Sequence, residues 1–359
     1  MSRSSDDFAA FTTMSREWAG RTVASWPHTV REGSPEAQVR GWMRSAVPAL
    51  VRGAVRATGL NSPASSLRID RVNRAAWAVH TADDYATIAW RVAELLGGSA
   101  GQAPSAEETR LEALADRFGG WAGFVGMAVG RLIGGLASAA IGQFDVPLPR
   151  ADMGVVRLIP ENVVVFADRL DEPLENAFRW AVWQDAVRWT IVAQPHVGER
   201  ITTLVPRYVG LGNYDLSAVA GIVTASSEGG GLDRDAVLAA LTTDAQARMG
   251  SELQALNAVM AATAWYLAKT HPEAGIAVAP RLEAALERRR ADSPIQEWLL
   301  EWLLGLRFDL AQYRQAQGFV AAVGAADRLP GLWQSPASLP TPEDLAEPDL
   351  WFRRTLPLA

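Results

Sequence analysis

The 359-residue chain contains no cysteine. Disulfide bridges, thiol nucleophiles, thiolate zinc sites and iron–sulfur clusters are therefore excluded. Lysine is nearly absent as well, because Lys269 is the only lysine among the 34 basic residues. The formal net charge is −6, and no basic run with interleaved aromatic residues occurs. Since nucleic-acid-binding domains usually concentrate positive charge on one face, we expect no nucleic-acid partner.

The amino-terminal segment lacks the apolar core of a secretory signal peptide and carries aspartates at positions 6 and 7. We therefore expect a cytoplasmic protein. Hydrophobic residues make up 49% of the chain and charged residues 21%, which is typical of a globular protein with a large core. We expect one large domain over residues 1–359. Its proline- and tryptophan-rich end, residues 325–359, should pack on the body as an ordered strap.

Hydrophobic periodicity near 3.6 residues dominates the chain and predicts a mainly α fold with a small β-sheet, in the α+β class. Alternation of apolar and polar residues predicts a strand in residues 65–74. Two β-branched runs around Pro160 predict a β-hairpin over residues 154–167. Asp83 and Asp84 are candidate caps for a helix ending near Leu96. The predicted helices nearest to candidate chemistry are 171–194, 196–210, 250–269 and 307–324.

Residues 119–142 form the most apolar segment, and its length approaches that of a membrane span. Glycines recur there every three or four residues and form one seam of small residues, at positions 119, 123, 126, 130 and 134. Arg131 lies in the middle, and no positively charged flank accompanies the segment. We therefore expect a core helix against which another helix backbone packs closely, and no stable membrane insertion.

Histidine, the commonest metal ligand and general base, occurs only four times, as His28, His80, His196 and His271. No two of them are spaced to share a helix face, so a helical histidine pair for zinc is absent. A site built from distant histidines and carboxylates stays open. His196 follows Pro195 at a predicted helix start, which favours a surface or capping role for it.

The segment WAVWQDAVRW, residues 180–189, is an apolar helix with three polar side chains, Gln184, Asp185 and Arg188. Their spacing of i, i+1 and i+4 places them on one side of the helix. The trio is therefore either a functional site, the remains of one, or the polar edge of a core helix.

Several stretches, in order over most of the chain, resemble the actinobacterial type 2 zincin-like metallopeptidases, whose members include proteins labelled as associated with deazaflavin coenzyme biosynthesis. The carboxyl-terminal stretch is the most specific of them. The stretches are LRIDRVNRAAW (67–77), IGQFDVPLP (141–149), RLIPENVVVF (157–166), LLGLRFDLAQYRQAQGFV (303–320) and LWQSPASLPTPEDLAEPDLWFRR (332–354). The resemblance implies a zincin-like core wrapped by additional helices.

The resemblance also implies a zinc-binding H-E-x-x-H helix. Its counterpart here is residues 184–188, with Asp185 at the general-base position, or residues 185–189 if the register shifts by one position. In both registers the two histidines are missing. A later family helix supplies further site residues, and its counterpart places Asn257 and Val259 there. Zinc is expected for the family, yet Arg188 has no lone pair to donate and Gln184 offers only an amide oxygen. We therefore expect no metal cofactor.

Arg188 is a candidate replacement for the positive charge of the zinc, paired with Asp185 or with an acid on the later helix such as Glu252. The leading interpretation is a catalytically degenerate metallopeptidase homologue, a pseudoenzyme that binds an unidentified protein or peptide partner or acts as a scaffold. The alternative is a metal-dependent hydrolase or peptidase that uses non-standard ligands in the same cleft. A new small-ligand pocket lined by Gln184, Asp185 and Arg188 is a further possibility.

Overall fold

The computed structural model describes residues 2–24, 33–61, 67–98, 113, 115–145, 150, 153–212, 242–276, 305 and 310–355. The fold is mainly helical with one small sheet, as predicted. Its α-helices are α1 (Ser2–Ala24), α2 (Pro35–Ser45), α3 (Val47–Thr58), α4 (Arg74–Gly98), α5 (Trp121–Leu136), α6 (Pro160–Leu170), α7 (Leu174–Val192), α8 (Pro195–Gly210), α9 (Asp244–Thr270), α10 (Leu310–Ala325), α11 (Pro342–Ala346) and α12 (Pro348–Thr355). Short 3₁₀ turns cover Pro272–Ala274, Leu329–Trp333 and Pro336–Ser338.

The sheet of the described residues has two parallel strands, β1 (Arg68–Arg71) and β2 (Val155–Leu158). The strand predicted in residues 65–74 is confirmed, but the hairpin predicted over residues 154–167 is wrong. Its first half is β2, and its second half is the start of α6. Pro160 occupies the first turn of that helix, where a missing N–H costs no hydrogen bond and the fixed φ suits helix entry. The β-branched run that follows is therefore helical despite its strand propensity.

The glycine-rich segment forms α5, and its seam of small residues packs directly on α1. A methyl group built on Gly130 would lie 2.4 Å from the carbonyl oxygen of Ser15, and one on Gly126 would lie 2.6 Å from that of Phe11. Only glycine allows this approach, because a real side chain would push the two backbones apart. The predicted close helix contact is confirmed. A search of the described helices finds none with the length and apolar character needed to span a bilayer.

Helix α4 is longer than predicted, and Asp83 and Asp84 lie in its interior rather than at its start. The residue that satisfies the first turn is Asn73, whose Oδ1 accepts the Ala76 N–H at 2.8 Å. The capping prediction for the two aspartates is wrong because both have partners elsewhere. Asp83 pairs with Arg16 on α1, and Asp84 pairs with Arg150.

Helix α7 is enclosed along almost its whole length. The Trp180 ring packs edge-on against Trp265 of α9 at 5.3 Å, and Trp183 is fully buried. At the carboxyl end of the chain, Trp351 of α12 is also fully buried, and its indole N–H donates to the Ser338 carbonyl at 2.7 Å. Helix α7 therefore lies in the core, with neighbours from both halves of the chain.

Candidate functional site

The polar trio of α7 lies against the turn at residues 141–145, which follows the glycine-rich helix α5. Gln184, Asp185 and Arg188 are 4%, 0% and 6% exposed. A helix in the core can carry three polar side chains only if their polar atoms have partners, since an unsatisfied buried polar group costs free energy. The contacts of each side chain therefore show what the trio does.

The Asp185 carboxylate binds the backbone of the turn. Its Oδ2 accepts the Gln143 N–H at 2.8 Å, and its Oδ1 accepts the Phe144 N–H at 3.3 Å. The approach is close because residue 142 is glycine: a methyl group on Gly142 would lie 2.1 Å from Asp185 Oδ2. Asp185 thus fastens the 141–145 turn to α7 from within the core.

A second carboxylate, that of Asp145, binds the same turn from its far side. Asp145 Oδ2 accepts the Ile141 N–H at 2.6 Å and the Gly142 N–H at 3.3 Å, and the Gln184 side-chain amide donates to Oδ1 at 3.5 Å. Four successive backbone N–H groups, from Ile141 to Phe144, therefore donate to two aspartates. We call residues 141–145 together with Asp185 and Arg188 the carboxylate clamp.

Burial, together with the nearby Asp145 carboxylate, raises the pKa of Asp185 to about 7. The hydrogen bond from Gln143, the charge of Arg188 and the hydrogen bond from Phe144 act in the opposite direction, because they favour the ionised form. A carboxyl group that titrates near neutral pH has the protonation behaviour of a general acid or base. Complete enclosure denies it contact with substrate in this conformation.

Arg188 closes the clamp by donating from Nη1 to the Phe144 carbonyl. Its side chain points into the protein, since the residue is 6% exposed, and its charge favours ionisation of Asp185. Glu252, the other predicted partner, lies elsewhere. Its carboxylate forms an ion pair with Arg200 of α8, and the two side chains are 46% and 48% exposed. The structure therefore associates Arg188 with Asp185 and places Glu252 on the surface.

The clamp continues through Gln143 into a network that sequence reasoning missed. The Gln143 carbonyl accepts from Arg150 Nη2 at 2.9 Å, and its side-chain Oε1 accepts the Arg157 N–H at 3.2 Å. Arg150 is buried, donates to Asp84 at 3.2 Å, and lies 4.6 Å above the Tyr85 ring. The available signal was the pair of polar residues, Gln143 and Asp145, directly after a long apolar helix. In the sequence, these two residues stand out only as part of the IGQFDVPLP stretch that resembles the family.

Zinc does not fit the donor set of the clamp. Arg188 is a cation without a lone pair, and a dication beside it would be repelled. Asp185 presents its carboxylate oxygens to backbone N–H groups. On α9, Asn257 and Val259 are both buried, but Val259 has no donor atom and Asn257 has only an amide. The clamp chemistry is that of a buried hydrogen-bond network, and it does not supply a metal ligand set.

The described histidines do not supply the missing metal ligands. His80 lies exposed on α4, where partial burial and the charge of Arg157 lower its pKa. His196 lies in the first turn of α8, and His271 ends α9 with its ring 6.1 Å from that of Trp183. His28 lies outside the described residues. Within the described ranges, no group of three or more histidine, aspartate or glutamate side chains is placed to hold a metal ion.

Comparison with known proteins identifies the family of this chain. The family model described as zincin-like metallopeptidase matches residues 12–352. The chain belongs to the zincin-like metallopeptidase family. Among solved structures it is similar to one described as a putative hydrolase with a novel fold from Chloroflexus aurantiacus. The TM-score is 0.61 at 18% identity, over 95% of this chain and 97% of that one. At this identity the likeness shows a shared fold. The search of curated proteins gives no significant match.

Proposed function

We propose that this zincin-like family member is a pseudoenzyme that works as a binding or scaffold protein for a protein or peptide partner. The observation that carries the proposal is the carboxylate clamp. The helix segment that corresponds to the zinc-binding motif presents Gln184, Asp185 and Arg188, and these side chains hold the 141–145 turn in the core. A side chain cannot use the same lone pairs for a backbone N–H and for a metal.

The residues around Asp185 and Gln184 accommodate these two side chains, which supports a structural role for them. Gly142 makes room for the Asp185 carboxylate, and the side chain of Gln184 reaches Asp145. Both carboxylate oxygens of Asp185 have backbone donors, whereas Gln143 Nε2 is buried without a hydrogen-bond partner among the described residues. The family scaffold therefore persists while the former chemical centre contributes to folding.

Metal analysis and peptide turnover test the proposal together. Purified protein is dialysed, incubated with one equivalent of zinc, dialysed again and analysed for metal, while turnover of casein is followed with and without added zinc. We expect no stoichiometric zinc and no turnover. Stoichiometric zinc that survives dialysis, or turnover lost in Asp185→Asn but kept in Asp168→Asn, would contradict the proposal. Asp168 is a matched control, because it is an exposed carboxylate on α6.

The second candidate is a metal-dependent hydrolase with non-standard ligands. Membership of a metallopeptidase family supports it, as does the putative hydrolase description of the structural neighbour. This candidate predicts turnover that disappears on chelation, returns with added metal and is lost in Asp185→Asn. The same set of measurements therefore separates the two functions.

A further inference from the structure

A groove of about 720 Å³ lies between helices α8 and α9 and the carboxyl-terminal segment, away from the carboxylate clamp. Its volume is in the range of small-ligand sites. Leu204 of α8 and Leu256 of α9 are buried residues that form an apolar floor, and Leu339 extends the apolar surface on the carboxyl-terminal side. Three prolines also line that side, at positions 336, 340 and 342.

The carboxyl-terminal wall of the groove is built by its own internal bonds. Arg354 forms an ion pair with Asp344 and donates to the carbonyls of Ala337 and Leu339. The Thr341 N–H donates to Asp344 at 2.9 Å. Because the prolines have no N–H and these groups are already bonded, this wall offers mainly shape and apolar contact, with Glu343 as its further charged side chain. Recognition of a negatively charged group must therefore come from the opposite wall.

The opposite wall carries charges of both signs. Arg200 and Glu252 neutralise each other across the two helices. Two further charged side chains line this wall, Arg248 of α9 and Glu199 of α8, and neither forms an ion pair within the described part of the chain. The same holds for Glu343 on the carboxyl-terminal wall. A groove that keeps one guanidinium and two carboxylates beside an apolar floor is complementary to a ligand with one anionic and one cationic end.

Helix pairing sets the spacing of these charges. Gln246 donates to the Tyr208 carbonyl, and Arg200 pairs with Glu252, so α8 and α9 run antiparallel. Arg248 therefore lies near the Tyr208 end, and Glu199 lies at the other end beside Arg200. At 1.5 Å per residue, the two levels are roughly 7–9 Å apart along the helix axes. Leu204 lies between them.

We propose that this groove binds an elongated dipolar ion, with its carboxylate at Arg248, its ammonium at Glu199 and an aliphatic middle on the leucine floor. A dipeptide and an ω-amino acid share this chemistry. Two extended residues span about 7 Å, which matches the charge spacing. The site is separate from the Asp185 helix segment, so the proposal stands whether or not that segment catalyses a reaction.

Calorimetric titration with four probes tests the proposal: dileucine, 6-aminohexanoate, hexanoate and hexylamine. We expect at least one dipolar probe to bind more tightly than both single-charge probes. Tighter binding of dileucine identifies a peptide ligand, and tighter binding of 6-aminohexanoate identifies a non-peptide amino acid. Absence of binding by both dipolar probes at about 10 mM overturns the proposal. It is also overturned if hexanoate or hexylamine binds as tightly as the dipolar probes do.

Variants assign the binding to the groove. Arg248→Ala and Glu199→Gln should each raise the Kd of the tighter dipolar probe about three- to tenfold, as expected for a partly screened charge contact. Arg207→Ala is the matched control, because Arg207 is exposed on α8 and does not line the groove. All three residues are exposed, so the variants should fold, and circular dichroism checks this. Loss of affinity only in Arg207→Ala, or in none of the three, refutes the assignment.

Discussion

Replacement of Gly142 by alanine should disrupt the carboxylate clamp, although residue 142 itself carries no functional group. The added methyl would lie 2.1 Å from Asp185 Oδ2, whereas ordinary contacts of a side-chain β-carbon begin at 3.4 Å. The Asp185 carboxylate and the turn must therefore move about 1.3 Å apart. This displacement would stretch the 2.8 Å bond from Gln143 beyond hydrogen-bonding distance, and the bond from Phe144 with it.

The magnitude follows from those two bonds. Hydrogen bonds to a charged acceptor contribute about 1.5–3 kcal/mol each. Above pH 7, where Asp185 is ionised, Gly142→Ala should therefore lower the free energy of unfolding by about 3–5 kcal/mol. Asp185→Ala loses the same bonds but also removes a buried charge, and it opens the volume that the methyl needs. In the double variant the two penalties should overlap, and the combined loss should fall short of the sum by about 2–3 kcal/mol.

Urea unfolding of the four proteins, followed by tryptophan fluorescence and by circular dichroism, measures this cycle. Gly41→Ala is the control, because Gly41 is a helical glycine with no atom near the position of an added methyl. That variant should be more stable by about 0.5–1 kcal/mol through helix propensity. Additive losses in the double variant, or a harmless Gly142→Ala, would refute the clamp as the reason for glycine at this position.

Two further predictions concern the clamp carboxylate and the glycine seam. The pKa of Asp185 is raised from 3.8 to about 7, so the folded state holds a proton that the unfolded state releases, and stability is lost as the pH rises through this window. Between pH 4 and 7, the free energy of unfolding of Asp185→Asn should therefore rise by up to about 4 kcal/mol relative to that of the parent. If urea unfolding gives the same difference between the two proteins at every pH, the prediction is refuted. In α5, Gly130→Ala should cost about 1–3 kcal/mol by forcing α1 away from the Ser15 contact, against the gain expected for Gly41→Ala. Equal effects of the two glycine substitutions on thermal unfolding would show that the close packing is not required.

Hydrophobic periodicity predicted the helices that bury one continuous face. It failed at the β-branched run after Pro160, where a single proline starts a helix. The apolar α5 helix and its glycine seam were predictable, since the spacing of the glycines already specifies a close helix contact. The residues after Pro160 were not, because a β-branched run has the same composition in a strand and in a buried helix. Burial against α7 and the helix start at Pro160 decide between them.

The candidate site was predictable in its members and not in its contacts. The spacing of Gln184, Asp185 and Arg188 placed them on one side of a helix. In the structure all three side chains contact the 141–145 turn. Their partner, the 141–145 turn, lies about forty residues away in sequence, and nothing in its local pattern indicates that its N–H groups need acceptors. The sequence also did not indicate that Glu252 pairs with Arg200 on the surface, since the two residues lie 52 positions apart.

The carboxylate clamp also restricts which side chains positions 184 and 188 can accept. Each backbone N–H group from Ile141 to Phe144 already binds a carboxylate, and the side chains of Gln184 and Arg188 both contact the 141–145 turn. A histidine introduced at either position would lose the contact with Asp145 or with the Phe144 carbonyl, and its ring would meet a turn that already occupies the space. Substitutions at these two positions are therefore coupled to the sequence of the turn, Gly142 included.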